Sequence, residues 1–145
     1  MTIDSTDLQA LASSGIQMSE SNGTVILRFD APLFSSRVAL DPDQKKCLNQ
    51  LGGVLAKHAT EWRVTVVGHT DATPMRSTGP YQDNRELGLG RAVEVVRYWI
   101  RNSDIPASML TAATAGDENP PFPGEDSESK LKNRTVTIRI SASGK

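Results

Sequence analysis

Arg63-Val64-Thr65-Val66-Val67-Gly68-His69-Thr70-Asp71 is the stretch that decides the fold. Its β-branched run reads as a strand ending at Gly68, with a polar segment, His69 to Asp71, just beyond it. Upstream, Asp41-Pro42-Asp43-Gln44 is a helix start: Asp41 can cap, Pro42 suits the first helical position and Gln44 can complete a capping box. Cys47, Leu48, Leu51, Val54 and Leu55 then repeat with helical spacing. Earlier still, Val25-Ile26-Leu27-Arg28-Phe29 reads as a strand, joined to that helix by a connection with apolar anchors over residues 30–40. Residues 1–22 are polar and read as a linker or N-terminal extension, in which Leu8 and Leu11 can share one side of a short helix.

Downstream, the loop from Asp71 to Asp83 leads to a second capping box, Asp83 with Glu86, so a helix opens near Asn84. Its apolar stripe is Ala92, Val95, Val96 and Trp99, and Asn102 and Pro106 mark its end. Met109–Ala115 is a strand of small residues, and Asp117–Lys132, rich in Pro, Gly and acid, is a long surface loop. In the last strand Val136, Ile138 and Ile140 alternate with Thr135, Thr137 and Arg139. The order βαβαββ predicts an α/β two-layer sandwich, a mixed four-stranded sheet with its helices on one face. Residues 23–145 would make up that domain.

Length and charge narrow the function. A chain of 145 residues suits one domain. Sixteen Lys and Arg against seventeen Asp and Glu leave a net charge of -1, without the basic excess that a general nucleic-acid binder needs. No apolar run approaches the roughly 20 residues that span a bilayer, and no signal peptide is visible, so an exported or anchored protein would carry that part outside this chain. Cys47 is the single cysteine, read as a buried inert thiol, and two histidines are too few for a histidine-rich metal site. No metal or cofactor is expected.

The charged residues converge on one place. Asn84 and Arg91, seven positions apart, point within about 20° of each other on a helix, flanking the apolar stripe. Arg91 would therefore lie at the helix–sheet border beside the strand end that carries Asp71. A half-buried Arg needs a carboxylate partner. The simplest arrangement is a structural Asp71–Arg91 ion pair. The same two charges can also hold a zwitterion, the Asp taking an ammonium and the Arg a carboxylate.

Three separated blocks carry a resemblance: Val66-Val67-Gly68-His69-Thr70-Asp71, then Asn84-Arg85-Glu86-Leu87-Gly88-Leu89-Gly90-Arg91-Ala92, then Asn133-Arg134-Thr135-Val136. In order and spacing, from about Val25 to Ile140, they resemble the OmpA-like peptidoglycan-binding domain. Thr70-Asp71-Ala72-Thr73-Pro74 and the Pro-rich segment before Asn133 look more like flagellar stator B-subunit and secretion-associated members than like Pal lipoproteins. The resemblance implies non-covalent binding of the peptidoglycan stem peptide through meso-diaminopimelate, whose distal end is a free amino acid. By block matching, the ligand Asp falls on Asp71 and the ligand Arg on Arg91, with Thr70 lining the pocket and Asn84, Asn133 and Arg134 completing the set. It further implies a periplasmic domain of a Gram-negative bacterium, tethered to a membrane through a segment absent from this chain, with room for a homodimer. An assembly or dimerisation domain of a stator or secretion complex with an idle pocket is the alternative. Two departures stand out: Gly88 where the family usually has Ser, and Thr135 where it has a second Arg.

Other signals are weaker. His69 and Asp71, two apart, share a face of an extended chain and invite a catalytic reading, but no nucleophile motif accompanies them. Gly88-Leu89-Gly90 lies within a helix pattern and not directly after a strand, as a phosphate loop would. His58 suits a capping or core role. Arg97 and Arg101, four apart, read as a solvated face, and Glu125, Asp126 and Glu128 as a solvated loop lacking a calcium pattern.

Overall fold

The structure is a computed structural model that describes residues 6–11, 15–71, 80–124 and 126–143. In chain order the elements are helix α1 (Thr6–Gln9), strands β1 (Ile16–Ser21), β2 (Thr24–Phe29), β3 (Phe34–Ser36) and β4 (Ala39–Leu40), helix α2 (Lys45–Lys57), strand β5 (Trp62–His69), helix α3 (Asn84–Asn102), strand β6 (Leu110–Gly116), helix α4 (Ser127–Lys132) and strand β7 (Val136–Ala142). Ala72-Thr73-Pro74 and Glu125 lie outside the described residues.

The main sheet has the order β1-β2-β7-β5-β6, and β3 pairs with β4 in a separate hairpin. β5 runs antiparallel to β7 and parallel to β6, so the sheet is mixed. Register sets the core face: Leu27 opposes Ile138, and Ile138 opposes Val66. These side chains pack with Leu48, Leu51 and Leu55 of α2 and Ala92, Val95 and Trp99 of α3. The two helices therefore cover one face, as expected. The indole of Trp99 donates to the carbonyl of Leu48 at 2.9 Å, tying helix to helix without leaving a buried donor unsatisfied.

Two caps form from the residues the sequence nominates. Asp83 accepts from the backbone N–H of Glu86 at 2.8 Å, and Asp41 accepts from that of Asp43 at 2.9 Å. Gln44 does not complete a box: Asp41 caps a 3-10 turn over Pro42–Gln44, and α2 starts only at Lys45.

Three expectations change. The sheet is five-stranded, because Ile16–Ser21 pairs with β2 as an edge strand. The linker assignment therefore fails for that part of residues 1–22, and Leu8 and Leu11 are buried in the same core. The overlooked signal is Asn22-Gly23, both with positive φ (51° and 81°), as a two-residue hairpin turn requires. Within the Asp117–Lys132 loop a short helix, α4, is capped by Asp126 through the N–H of Ser129. Its exposed sequence carries no apolar periodicity that would have revealed it.

Candidate functional site

The site grows from the C-terminal end of β5. The pairing of β5 with β6 shifts register between Gly68 and His69, which bends the chain there. The N–H of His69 then donates to Thr135 at 2.9 Å and that of Thr70 to Gly116 at 2.8 Å. The segment is thus pinned between the ends of β6 and β7. A Cβ on Gly68 would sit 1.7 Å from the carbonyl oxygen of Gly88, so strand and helix backbones touch at this point. Gly88 serves that approach to the strand; a Cβ there would meet the Thr114 hydroxyl at 2.5 Å. This explains a glycine where the family's usual residue is serine.

His69 is 4% exposed, and its Nε2 lies 2.9 Å from the Thr137 hydroxyl. Burial, reinforced by nearby Arg139, pushes its pKa down to about 4, so the ring is neutral at pH 7. Thr70 is 2% exposed, and its hydroxyl finds no hydrogen-bond partner among the described residues. An orphaned buried hydroxyl beside a carboxylate is a polar atom whose hydrogen-bonding capacity is unmet.

Asp71 follows, its side chain 11% exposed, accepting a hydrogen bond from Nε of Arg134 at 3.2 Å. Arg134, with 38% of its side chain exposed, is the cation at the surface. The expected Asp71–Arg91 pairing is replaced by this one. Arg91 lies deeper, 3% exposed. Its Nε donates to the carbonyl of Arg37 at 2.6 Å and its Nη1 to that of His69 at 2.9 Å. Its guanidinium carbon stands 5.5 Å from the centre of the Phe34 ring. Burial lowers the Arg91 pKa to about 10, while the Asp71 carboxylate works in the opposite sense, so Arg91 remains charged at pH 7. Asp71 and Arg91 therefore share one electrostatic environment.

The fold brings Thr70, Asp71, Arg91 and Arg134 together. Asn84 opens α3 one position after the Asp83 cap and is half-buried. Asn133 serves another purpose: its side chain accepts from the N–H of Phe122 and donates to the carbonyl of Phe122, both at 3.0 Å. That pairing pins the Pro-rich loop and leaves the amide committed. Thr135 is 1% exposed, so an arginine at this position would have to be accommodated in a buried environment. Sequence reading missed the β3–β4 hairpin. Arg37, at φ 26°, turns its carbonyl onto Arg91, and the N–H of Phe34 donates to the carbonyl of Arg134 at 3.2 Å. No local signal marks Arg37, since a left-handed arginine is sterically disfavoured.

Among known proteins, Motility protein B of Helicobacter pylori (strain J99 / ATCC 700824) is 27% identical over 103 residues, 71% of this chain and 39% of that protein. The uncharacterized protein YtxE of Bacillus subtilis (strain 168) is 28% identical over 125 residues, 86% of this chain and 50% of that protein. The chain thus spans half or less of these relatives. The crystal structure of a MotB-like protein from Desulfovibrio vulgaris superposes with a TM-score of 0.79 at 25% identity, covering 94% of this chain and 88% of that one. The cell wall anchor of the T6SS from Pseudomonas aeruginosa has the same fold, with a TM-score of 0.76 at 23% identity over 95% of this chain and 96% of that one. Residues 35–134 match the OmpA family, the larger part of the sequence, and the chain belongs to that family.

Proposed function

We propose that this domain binds peptidoglycan without cleaving it and anchors a larger membrane protein or complex to the cell wall from the periplasm. Its ligand is the amino-acid end of meso-diaminopimelate in the stem peptide. The observation that carries this reading is the grouping of an acid, two cations and an orphaned hydroxyl at one strand end. Asp71 takes the ligand ammonium, displacing Arg134, which turns toward the carboxylate, while Arg91, held on two carbonyls, adds its positive charge from beneath; Thr70 supplies its hydroxyl, and Asn84 lies at the rim. The ligand ammonium replaces the Arg134 charge on a carboxylate that is only 11% exposed, so Asp71 is not left unpaired in the exchange. Family membership supports the reading, as does the likeness to a protein described as a cell wall anchor. A hydrolytic role is disfavoured by His69, which is buried, neutral and engaged with Thr137.

The binding unit includes the sheet from Ile16 onward. Asp71→Ala should cut co-sedimentation with diaminopimelate-containing sacculi by more than tenfold, with melting close to that of the parent. Pelleting at the parental level would overturn the assignment. Arg91→Ala is the less clean variant, because a buried cation holding two carbonyls also supports the fold. A second reading, an assembly or dimerisation domain with an idle pocket, is favoured by one observation: Asp71 already has an internal cation in Arg134. Under it, Asp71→Ala leaves sacculus pelleting unchanged.

A further inference from the structure

Beyond the Asp71 site, a groove of about 280 Å³ runs along the flank of α3. It is lined by Val38 to Leu40 of the hairpin, Lys45 of α2, and Glu94, Arg97, Tyr98 and Arg101 of α3. Its volume lies near the lower end of the roughly 300–1,000 Å³ usual for ligand sites. Lys45, Arg97 and Arg101 face it, and none of the ion pairs among the described residues uses them. Glu94 is the single acid in the lining. The first turn of α2, which Lys45 opens, has no acidic residue to offset its dipole. Three cations gathered in a concavity repel one another and concentrate an anionic partner.

The groove and the site already described share the β3–β4 hairpin. The β3–β4 hairpin turns the Arg37 carbonyl onto Arg91 on one side and lends Val38, Ala39 and Leu40 to the groove on the other. At about 1.5 Å per residue along α3, Arg97 and Arg101 lie roughly 9 and 15 Å beyond Arg91.

We infer that the groove binds the carboxylates of the stem peptide whose diaminopimelate end enters the Asp71 site. This rests on the peptidoglycan reading and extends its ligand from one amino acid to an acidic peptide. The residue preceding diaminopimelate carries a free carboxylate. Counted from the distal amino-acid end, it lies about three residue lengths away, roughly 10 Å, within reach of Arg97 and Arg101.

The test is calorimetric titration of the whole chain with free meso-diaminopimelate and with the tripeptide L-Ala-γ-D-Glu-meso-diaminopimelate. The parent should bind the tripeptide at least tenfold more tightly than the free amino acid, and added salt should erode that preference. Arg97→Gln/Arg101→Gln should abolish the preference while leaving affinity for free diaminopimelate unchanged. Arg97→Glu/Arg101→Glu should reverse it, with circular dichroism confirming the fold of both. A preference that survives in the Gln variant overturns the groove alone. Equal binding of free diaminopimelate by the parent and Asp71→Ala, or binding of neither ligand by the parent, overturns the site reading and the groove with it. Groove variants that change only the oligomeric state in sedimentation assign the groove to contacts between copies and also overturn the proposal.

Discussion

At its first residue, strand β5 is flanked by His58, which stacks on Trp62 with ring centroids 3.9 Å apart and hydrogen-bonds to Asp7 at 3.0 Å and Glu61 at 2.9 Å. At its last residue, His69 is 4% exposed and meets a threonine hydroxyl. The two imidazoles respond oppositely. His58 is partly desolvated, which pulls its pKa down, yet hydrogen bonds and charge from Asp7 and Glu61 win and raise it. At His69 burial dominates, Arg139 adds to it, and the pKa falls to about 4. One end of the strand is thus a surface clasp that prefers a charged ring. The other is a dry floor that requires a neutral ring and turns its backbone carbonyl to Arg91. Neighbouring carboxylates and depth of burial set the sign, not the residue type.

Breaking the rigid end should have the largest effect. Gly68→Ala forces a Cβ to within 1.7 Å of the Gly88 carbonyl oxygen, where only backbone movement can relieve the clash. Loss of about 3 kcal/mol or more is expected, read as a shift in denaturant midpoint. A variant within 1 kcal/mol of the parent would mean that the strand–helix contact yields easily.

The contrast in charge gives the next two tests. Between the unfolded His value of about 6.5 and the folded value of about 4, the unfolded chain binds the extra proton at His69. The stability His69 contributes is therefore present above about pH 6.5 and declines as the pH falls toward 4, by about 3 kcal/mol in all. His69→Gln should remove that part of the acid dependence, and parallel curves of unfolding free energy against pH would refute it. His58 has the opposite sign. Its contribution is present below the ordinary His range and is lost as the pH rises through its raised folded value. Since Asp7 and Glu61 are 50% and 64% exposed, His58→Gln should cost less than about 1 kcal/mol. Proteolysis near α1 in the parent should rise as the pH passes through that raised value, and the variant should be cleaved at a rate independent of pH.

Much of the architecture was legible. The Asp83 cap and the Ala92, Val95, Trp99 stripe place α3, and the alternation of Val136, Ile138 and Ile140 places β7, because helix and strand periodicities are local properties. Strand β1 was not read because its outer positions, Gln17 and Ser19, are polar and Ile16 and Met18 alone face the core, although Asn22-Gly23 marked its turn. At the site, Thr70, Asp71 and Arg91 were nominated from the sequence, with Asp71 and Arg91 as the simplest ion pair, but the arginine that hydrogen-bonds Asp71 is Arg134, sixty-three positions away. Asn133, nominated beside it, points its amide at Phe122.

Sequence alone determined the alternation of strands and helices, the start of α3 and the strand end at which charge collects, since each is written in patterns a few residues long. Tertiary structure decided which arginine meets Asp71 and which lies buried beneath it, and that the hairpin carrying Arg37 closes over the buried one. Those outcomes depend on strand register and on the depth at which α3 sits against the sheet, set where Gly68 touches Gly88. Local periodicity records which face a side chain takes, but not how far it lies from a residue sixty positions away.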